Sequence, residues 1–199
     1  MIPRNPPLTM ALVVISTCVY LLMHAGFEHV IVGSFLISEY VQPTLPEVFD
    51  GQVWRLITPM FLHFGIFHIV FNMLWTWELG RIIEWQQGTG LLTVVVVVTS
   101  LVANLSQYSV SGPLFGGMSG VIYGLFGYVW LQTKTNSRFH IQLNPAIVKL
   151  MFGWFIVCWS GLLERFFGLA VANTAHTAGL ISGLLFSLFV SAMAAYSRK

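Results

Sequence analysis

Long apolar stretches limit the folds open to this sequence more than any other feature. Aliphatic and aromatic runs recur along the whole chain, with polar gaps between them. A membrane β-barrel would instead show short strands of alternating polarity. Only 8% of the 199 residues are charged and 56% are hydrophobic, whereas a soluble domain carries about 25% charged residues. The sequence therefore predicts an all-α integral membrane protein.

Six apolar segments are predicted to cross the membrane, which makes the fold a six-transmembrane-helix bundle. They lie at about residues 8–24, 64–82, 90–106, 119–134, 146–163 and 175–196. Since no repeat or separate soluble region interrupts them, residues 1–199 are predicted to form a single domain. The first segment lacks a following small-residue cleavage site, so we expect a retained helix and not a signal peptide.

The basic residues predict the orientation of these helices, because cytoplasmic loops carry an excess of Lys and Arg. With the N-terminus inside, seven basic residues are cytoplasmic and two external: Arg4, Arg81, Lys134, Arg138, Lys149, Arg198 and Lys199 against Arg55 and Arg165. Both termini are therefore predicted to be cytoplasmic. The net charge of +2 and the lack of a basic tract give no indication of a nucleic-acid partner.

The first external connection, residues 25–63, is unusually long. It is too apolar for a solvated loop, yet Pro43, Pro46 and Gly51 interrupt every run that could span a bilayer. Short interfacial helices in a membrane-associated loop are therefore predicted.

The fourth segment is short for a membrane span. From Ser119 to Lys134 a helix would cover about 24 Å, less than the roughly 30 Å of a bilayer core. Ser119 is therefore predicted to begin its helix below the outer surface. The preceding residues, Gln107–Gly117, are expected to enter the membrane as irregular backbone, which is tolerated where it lines a watery cavity.

Ser119 lies in the motif Gly117-Met118-Ser119-Gly120. At a helix N-terminus the free N–H groups and the helix dipole favour an anion, and the flanking glycines let backbone approach a substrate. Ser119 is thus a candidate nucleophile. The alternative is helix packing, since Gly120 and Gly124 form a small-x-x-x-small face.

His176 begins the sixth segment on the same side of the membrane as Ser119, so it is a candidate general base. Gly179 and Gly183 would allow the fourth and sixth helices to pack closely enough for contact. The alternative is a structural histidine bonded to a carbonyl. Tyr123 lies one turn below Ser119 and either orients His176 or belongs to the core.

His68 and Asn72 are four residues apart and share a helix face. Both can donate to an oxyanion, although interhelical hydrogen bonding is an alternative role. His63, at the membrane edge, is interpreted as structural.

Several residue types are missing from the places where other mechanisms need them. No Asp or Glu lies between Glu84 and Glu164, so a serine would work with histidine alone. Asp50 is the only aspartate, and no His-Glu-x-x-His motif occurs, which argues against two-aspartate and zinc proteases. No metal or organic cofactor is predicted. Cys18 and Cys158 are expected to be buried thiols and not a disulfide.

Taken in order along the chain, these motifs resemble those of the rhomboid intramembrane serine proteases, in particular the compact bacterial form without a cytoplasmic N-terminal domain. The matching residues are Trp54-Arg55, His63, His68, Asn72, Gly117-Met118-Ser119-Gly120 and Ala175-His176-Thr177-Ala178-Gly179 with Gly183. The resemblance implies a multi-pass protein of the bacterial inner membrane that cuts transmembrane proteins within or near the bilayer.

The resemblance also implies a role for individual residues. Ser119 would be the nucleophile and His176 the base, while His68, Asn72 and the Ser119 N–H would form the oxyanion hole. Tyr123 would orient the imidazole and Gln107 would hold water. Trp54 and Arg55 would have structural roles in the first loop, and residues 166–171 would cover the site.

We therefore predict a serine endopeptidase that acts on transmembrane protein substrates in the lipid bilayer. The alternative is a non-catalytic membrane-protein binder, although the binders of this type lack the serine or the histidine. A small transporter would show paired intramembrane charges, which this sequence lacks.

Overall fold

A computed structural model describes residues 6–196, which form nine α-helices and no β-strand. The helices are α1 (Pro7–Leu22), α2 (Glu28–Phe35), α3 (Pro46–Phe49), α4 (Ile66–Gln87), α5 (Thr89–Ser111), α6 (Ser119–Thr135), α7 (Pro145–Trp159), α8 (Leu162–Phe167) and α9 (Asn173–Tyr196). A π-helical turn, Met23–Phe27, joins α1 to α2, and 3₁₀ turns cover Val53–Leu56 and Thr58–Phe61. The all-α prediction is confirmed.

Six helices, α1, α4, α5, α6, α7 and α9, coincide with the six predicted segments. By length and composition, three helical stretches of the described chain could cross a membrane: Pro7–Phe35, Thr89–Ser111 and Asn173–Tyr196. The others are shorter or carry more charge, since α6 has 17 residues, α7 has 15, and α4 has three charged residues in its second half. The number of crossings therefore stays a prediction, as does the orientation. The orientation was predicted from nine basic residues, and three of them, Arg4, Arg198 and Lys199, lie outside the described residues.

Helix α5 extends further than the sequence predicted. Gln107 and Tyr108 are buried within it, so the prediction of irregular backbone over Gln107–Gly117 is wrong for its first part. The polar residues continue the helix because they have partners outside it, and the Tyr108 hydroxyl donates to the Tyr40 carbonyl at 2.8 Å. Irregular backbone begins only at Gly112, which has φ 74°.

The two cysteines differ in environment. Cys158 is buried in α7, as predicted, but Cys18 is exposed and the prediction is wrong there. The buried face of α1 is formed by Thr9, Leu12, Ser16 and Val19, and Cys18 lies off that face.

Helix α6 lies at the centre of the bundle, with ten consecutive residues, 120–129, buried. These ten residues include no charged side chain, which is typical of a helix buried on all sides. Its contact with α9 is especially close: a Cβ on Gly179 would overlap the carbonyl oxygen of Gly120, and one on Gly183 would overlap that of Gly124. The predicted glycine-mediated packing of these two helices is confirmed.

Glu84 joins the ends of three helices. Its carboxylate accepts the N–H groups of Leu8 at 2.8 Å and Thr9 at 2.9 Å, and the hydroxyls of Thr9 at 2.7 Å and Thr89 at 2.8 Å. A carboxylate at a helix N-terminus is favourable because it accepts hydrogen bonds from the free N–H groups and is attracted to the positive end of the helix dipole. Glu84 thereby fixes the start of α1 against α4 and α5.

The loop between α2 and α4 is held from inside by Arg55, whose side chain is buried. The guanidinium donates to the Leu36 carbonyl at 3.0 Å and to Gln52 Oε1 at 2.7 Å, and lies 3.5 Å from the Glu39 carboxylate. The loop is therefore an ordered part of the fold.

Glu47 stabilises the same loop. Burial alone would raise the pKa of this carboxyl, but hydrogen bonds from the Glu39 N–H at 2.7 Å and the Ser38 hydroxyl at 2.9 Å lower it below its usual range. The ionised form is the one that these donors stabilise.

Candidate active site

Ser119 is the first residue of α6, as predicted, and follows the irregular segment Gly112–Met118. Gly117 has φ 115°, a conformation that L side chains rarely adopt. A Cβ there would also lie 2.6 Å from His68 Nε2. Gly117 is therefore needed both for its backbone conformation and for the approach of the His68 ring.

The side chains of Ser119 and His176 meet across the α6–α9 contact. Ser119 Oγ lies 2.8 Å from His176 Nε2. Ser119 is half-buried and His176 is 4% exposed. If the hydroxyl donates to Nε2, the imidazole carries its own proton on Nδ1, which is the form needed for a general base.

The remaining surroundings of His176 orient the ring by packing. Its Nδ1 is buried and has no hydrogen-bond partner among the described residues, whereas in a serine–histidine–aspartate triad this nitrogen donates to the acid. The Tyr123 ring lies against the imidazole, with centroids 4.9 Å apart and planes at 40°. The Tyr123 hydroxyl donates to the Met151 carbonyl at 3.3 Å, which fixes the phenol.

Gln107, on α5, contacts the beginning of α9. Its Oε1 accepts the N–H of Ala175 at 3.0 Å. The residue after Ala175 is His176, so Gln107 helps to fix the turn that carries the imidazole. This contact was not predicted, and the water-holding role expected of Gln107 stays a prediction.

The two candidate oxyanion donors lie on α4. Asn72 is 5% exposed, and its Nδ2 donates to the His68 carbonyl at 2.7 Å, while its Oδ1 has no partner among the described residues. An amide NH₂ has two hydrogens, so one remains for a ligand. His68 is half-buried and its ring covers Gly117, two residues before Ser119.

The predicted cover of the site, residues 166–171, begins with the last two residues of α8 and is largely exposed. Helices α7 and α9, which precede and follow α8 and this segment, are joined by two hydrogen bonds. Asn173 Nδ2 donates to the Cys158 carbonyl at 3.0 Å, and Trp159 Nε1 donates to the Thr177 hydroxyl at 3.1 Å. Residues 160–172, which include α8 and the predicted cover, therefore leave α7 and reach α9 at two points that lie close together. Within the described chain, no group of three or more His, Cys, Asp or Glu side chains could hold a metal ion.

Comparison with known proteins gives one consistent result. The family model for the rhomboid domain matches residues 50–193. Rhomboid protease GlpG of Salmonella choleraesuis (strain SC-B67) is 35% identical over 195 residues, which is 98% of this chain and 67% of that protein. The GlpG proteins of Salmonella paratyphi A (strain ATCC 9150 / SARB42) and Salmonella newport (strain SL254) match to the same extent. The chain therefore belongs to the rhomboid family of intramembrane serine proteases.

Proposed function

We propose that this protein cleaves transmembrane protein substrates within or near the bilayer, with Ser119 as nucleophile and His176 as general base. The observation that carries the proposal is the 2.8 Å separation between Ser119 Oγ and His176 Nε2. That distance lies within the range required for proton transfer between a nucleophile and its base.

The first chemical step is attack of Ser119 Oγ on the scissile carbonyl carbon, while His176 Nε2 takes the hydroxyl proton. The imidazolium then gives that proton to the leaving amine, and the amide bond breaks to leave an acyl-enzyme. Water attacks the ester, with His176 again acting first as base and then as acid. Serine is regenerated and no cofactor is consumed.

The carbonyl oxygen becomes an anion during each attack. The Ser119 N–H, His68 and Asn72 are the proposed donors to it. Support comes from the start of α6 at Ser119, where the first N–H groups have no helical partner, and from the position of the His68 ring over Gly117. Donors held in place in this way are worth far more in a water-poor site than in solution.

The setting is proposed to be a bacterial inner membrane, crossed six times, with both termini cytoplasmic and residues 1–199 forming one domain. Bacterial relatives and the apolar helices support the membrane location. The short α6 supports a depth for Ser119 below the outer surface, since its 17 residues cover about 26 Å. Substrate helices would enter from the lipid, and water from the outer side.

The proposal is tested by incubating the purified protein with a fluorescently labelled transmembrane substrate in proteoliposomes. We expect wild-type protein to release a product whose mass identifies one cut, and Ser119→Ala to release none. Ser109→Ala is the matched control, because Ser109 is an exposed serine on α5. Cleavage by Ser119→Ala at the wild-type rate would show that another residue is the nucleophile. A wild-type protein that binds the substrate without cutting it would be a binder.

A further inference from the structure

A separate part of the chain holds the backbone just before Ser119. The N–H of Gly117 donates to the Pro59 carbonyl at 2.9 Å, and the N–H of Met118 donates to His63 Nε2 at 3.4 Å. Both amides are therefore occupied within the protein. The next N–H along the chain is that of Ser119, the proposed oxyanion donor.

The surroundings of His63 decide which ring nitrogen carries the proton. Nδ1 lies 3.1 Å from the Phe61 carbonyl oxygen, which can only accept, so Nδ1 has to donate. Nε2 faces the Met118 N–H, so it has to be unprotonated. The His63 ring is thereby fixed as the neutral form with its proton on Nδ1. Since the side chain is fully buried, no water competes for either nitrogen.

The hydrogen bond from the Met118 N–H to His63 matters because Met118 directly precedes Ser119 in the sequence. Only two rotations, φ −73° and ψ −6° of Met118, separate its tethered N–H from that of Ser119. The Met118 side chain is also fully buried, which restricts the residue further. The His63 ring in addition packs against the ring of His68, with centroids 5.0 Å apart. The His63 side chain thus contacts one proposed oxyanion donor, His68, directly, and it also holds the residue that precedes another, Ser119.

We propose that His63 is a positioning residue of the proteolytic site, whose neutral ring holds the Met118 backbone so that the Ser119 N–H points at the oxyanion. This rests on the proposed function, because it takes Ser119 as the nucleophile. His63 touches no reacting atom. Its loss would displace a donor and the nucleophile together, and a displacement of about 1 Å can cost roughly 10²-fold in rate.

The test uses two variants at this position in the full-length protein. Leucine in His63→Leu fills the space but cannot accept a hydrogen bond. Glutamine in His63→Gln places an amide oxygen near the Nε2 position and keeps a donor. His140→Leu is the matched control, since His140 is an exposed histidine far along the chain in the α6–α7 connection. For each protein, kcat and KM are measured, together with the rate and the end point of labelling by a fluorophosphonate, a serine-directed reagent.

We expect His63→Leu to lower kcat and the labelling rate by about 10²-fold, as for a nucleophile misplaced by about 1 Å, with KM and the labelling end point unchanged. His63→Gln should recover most of the lost rate, and His140→Leu should behave as wild type. The end point is informative because it counts folded, competent sites, whereas the rate reports how well each site is arranged.

Two results would overturn the proposal. One is a wild-type labelling rate in His63→Leu. The other is a reduced end point with a wild-type rate in the labelled fraction, which would make His63 a residue needed only for folding. Failure of the proposed function would look different: either Ser119→Ala would be labelled at the wild-type rate, or the wild-type protein would be neither labelled nor able to cut its substrate.

A second measurement reads the protonation state of His63 directly in the wild-type protein. In wild-type protein labelled with ¹⁵N-histidine, NMR of the ring nitrogens distinguishes the two neutral forms from the imidazolium. We expect a His63 signal, assigned by its loss in His63→Gln, with a protonated Nδ1 and a bare Nε2 at pH 7. A proton on Nε2 would leave no acceptor for the Met118 N–H and would refute the proposal.

Discussion

The two ends of the α6–α9 pair differ in how completely their polar side chains are hydrogen-bonded. At one end, Ser119 and His176 share a single hydrogen bond, and His176 Nδ1 has no partner among the described residues. At the other end, the fully buried Gln132 donates to the Ser187 carbonyl at 2.9 Å and lies 3.1 Å from the hydroxyls of Ser187 and Ser191. Gln132 Oε1 also accepts from two further side chains.

The difference shows how one helix pair can be both stable and reactive. Buried polar groups that are fully paired strengthen the contact between helices and fix its register. Groups left with spare capacity are costly for stability but can bind a reactant. The approach of α6 and α9 at the Ser119 end is set by the glycine contacts Gly120–Gly179 and Gly124–Gly183, whereas Gln132 stabilises the opposite end.

The largest expected effect is at the Ser119 end. Ser119→Ala and His176→Ala should each lower kcat by more than about 10³-fold. The double variant should be as active as the less active of the two single variants, because the two residues act as a unit. Single-turnover cleavage of a transmembrane substrate measures this. Additive losses would contradict a dyad. Thermal unfolding of Ser119→Ala should be nearly unchanged, because the side chain is small and makes one hydrogen bond.

Asn72 offers a second way to test the Ser119 end. Asn72→Ala should lower kcat by about 10²–10³-fold, the usual loss for one oxyanion donor, with little change in KM. Steady-state kinetics in detergent would measure both constants. A higher KM at unchanged kcat would place Asn72 in substrate binding and remove it from the oxyanion hole.

The glycine contact between the two ends should respond to a single methyl group. Gly179→Ala places a Cβ against the Gly120 carbonyl oxygen, which cannot move without moving α6. We expect a loss of about 3 kcal/mol in unfolding free energy, the upper part of the range for overpacking, and impaired cleavage. Gly153→Ala is the matched control, because a Cβ there meets nothing within 4 Å. Equal stability of the two variants would refute close packing.

The smallest effect is expected at the Gln132 end, and it should leave chemistry untouched. Gln132→Leu leaves buried partners unpaired, which costs about 1–3 kcal/mol. The folded fraction should keep its wild-type kcat. Gln142→Leu, at an exposed glutamine of the α6–α7 connection, is the control for adding an apolar side chain. If Gln132→Leu were fully folded and its kcat still fell strongly, the Gln132 end would contribute to catalysis as well as to stability.

Much of the fold and of the candidate site could be predicted from sequence because membrane helices are local and strongly patterned. The apolar runs predicted the six long helices, and the short fourth segment predicted that α6 begins at Ser119. The end of the third predicted span was wrong because a polar residue there has a distant partner. That span was predicted to end at residue 106, yet the Tyr108 hydroxyl bonds to the loop carbonyls of Tyr40 and Gln42, and α5 continues past it.

The roles of His63 and Glu84 could not be predicted for the same reason. His63 bonds to Met118, and Glu84 to Leu8 and Thr9, across long separations in sequence. Nothing in the local pattern around either residue indicates the partner. A buried histidine or carboxylate can be expected to have a partner, but the sequence does not name it.

The sequence by itself determined the class of this protein, because low charge and long apolar runs leave only a helical membrane bundle, and because the order of its motifs matches one family. It also determined which serine and which histidine were candidates. Only the tertiary structure decided that they meet. A 2.8 Å contact between residues 57 positions apart depends on how closely α6 and α9 approach, and that approach is set by backbone-to-backbone packing at glycines on both helices.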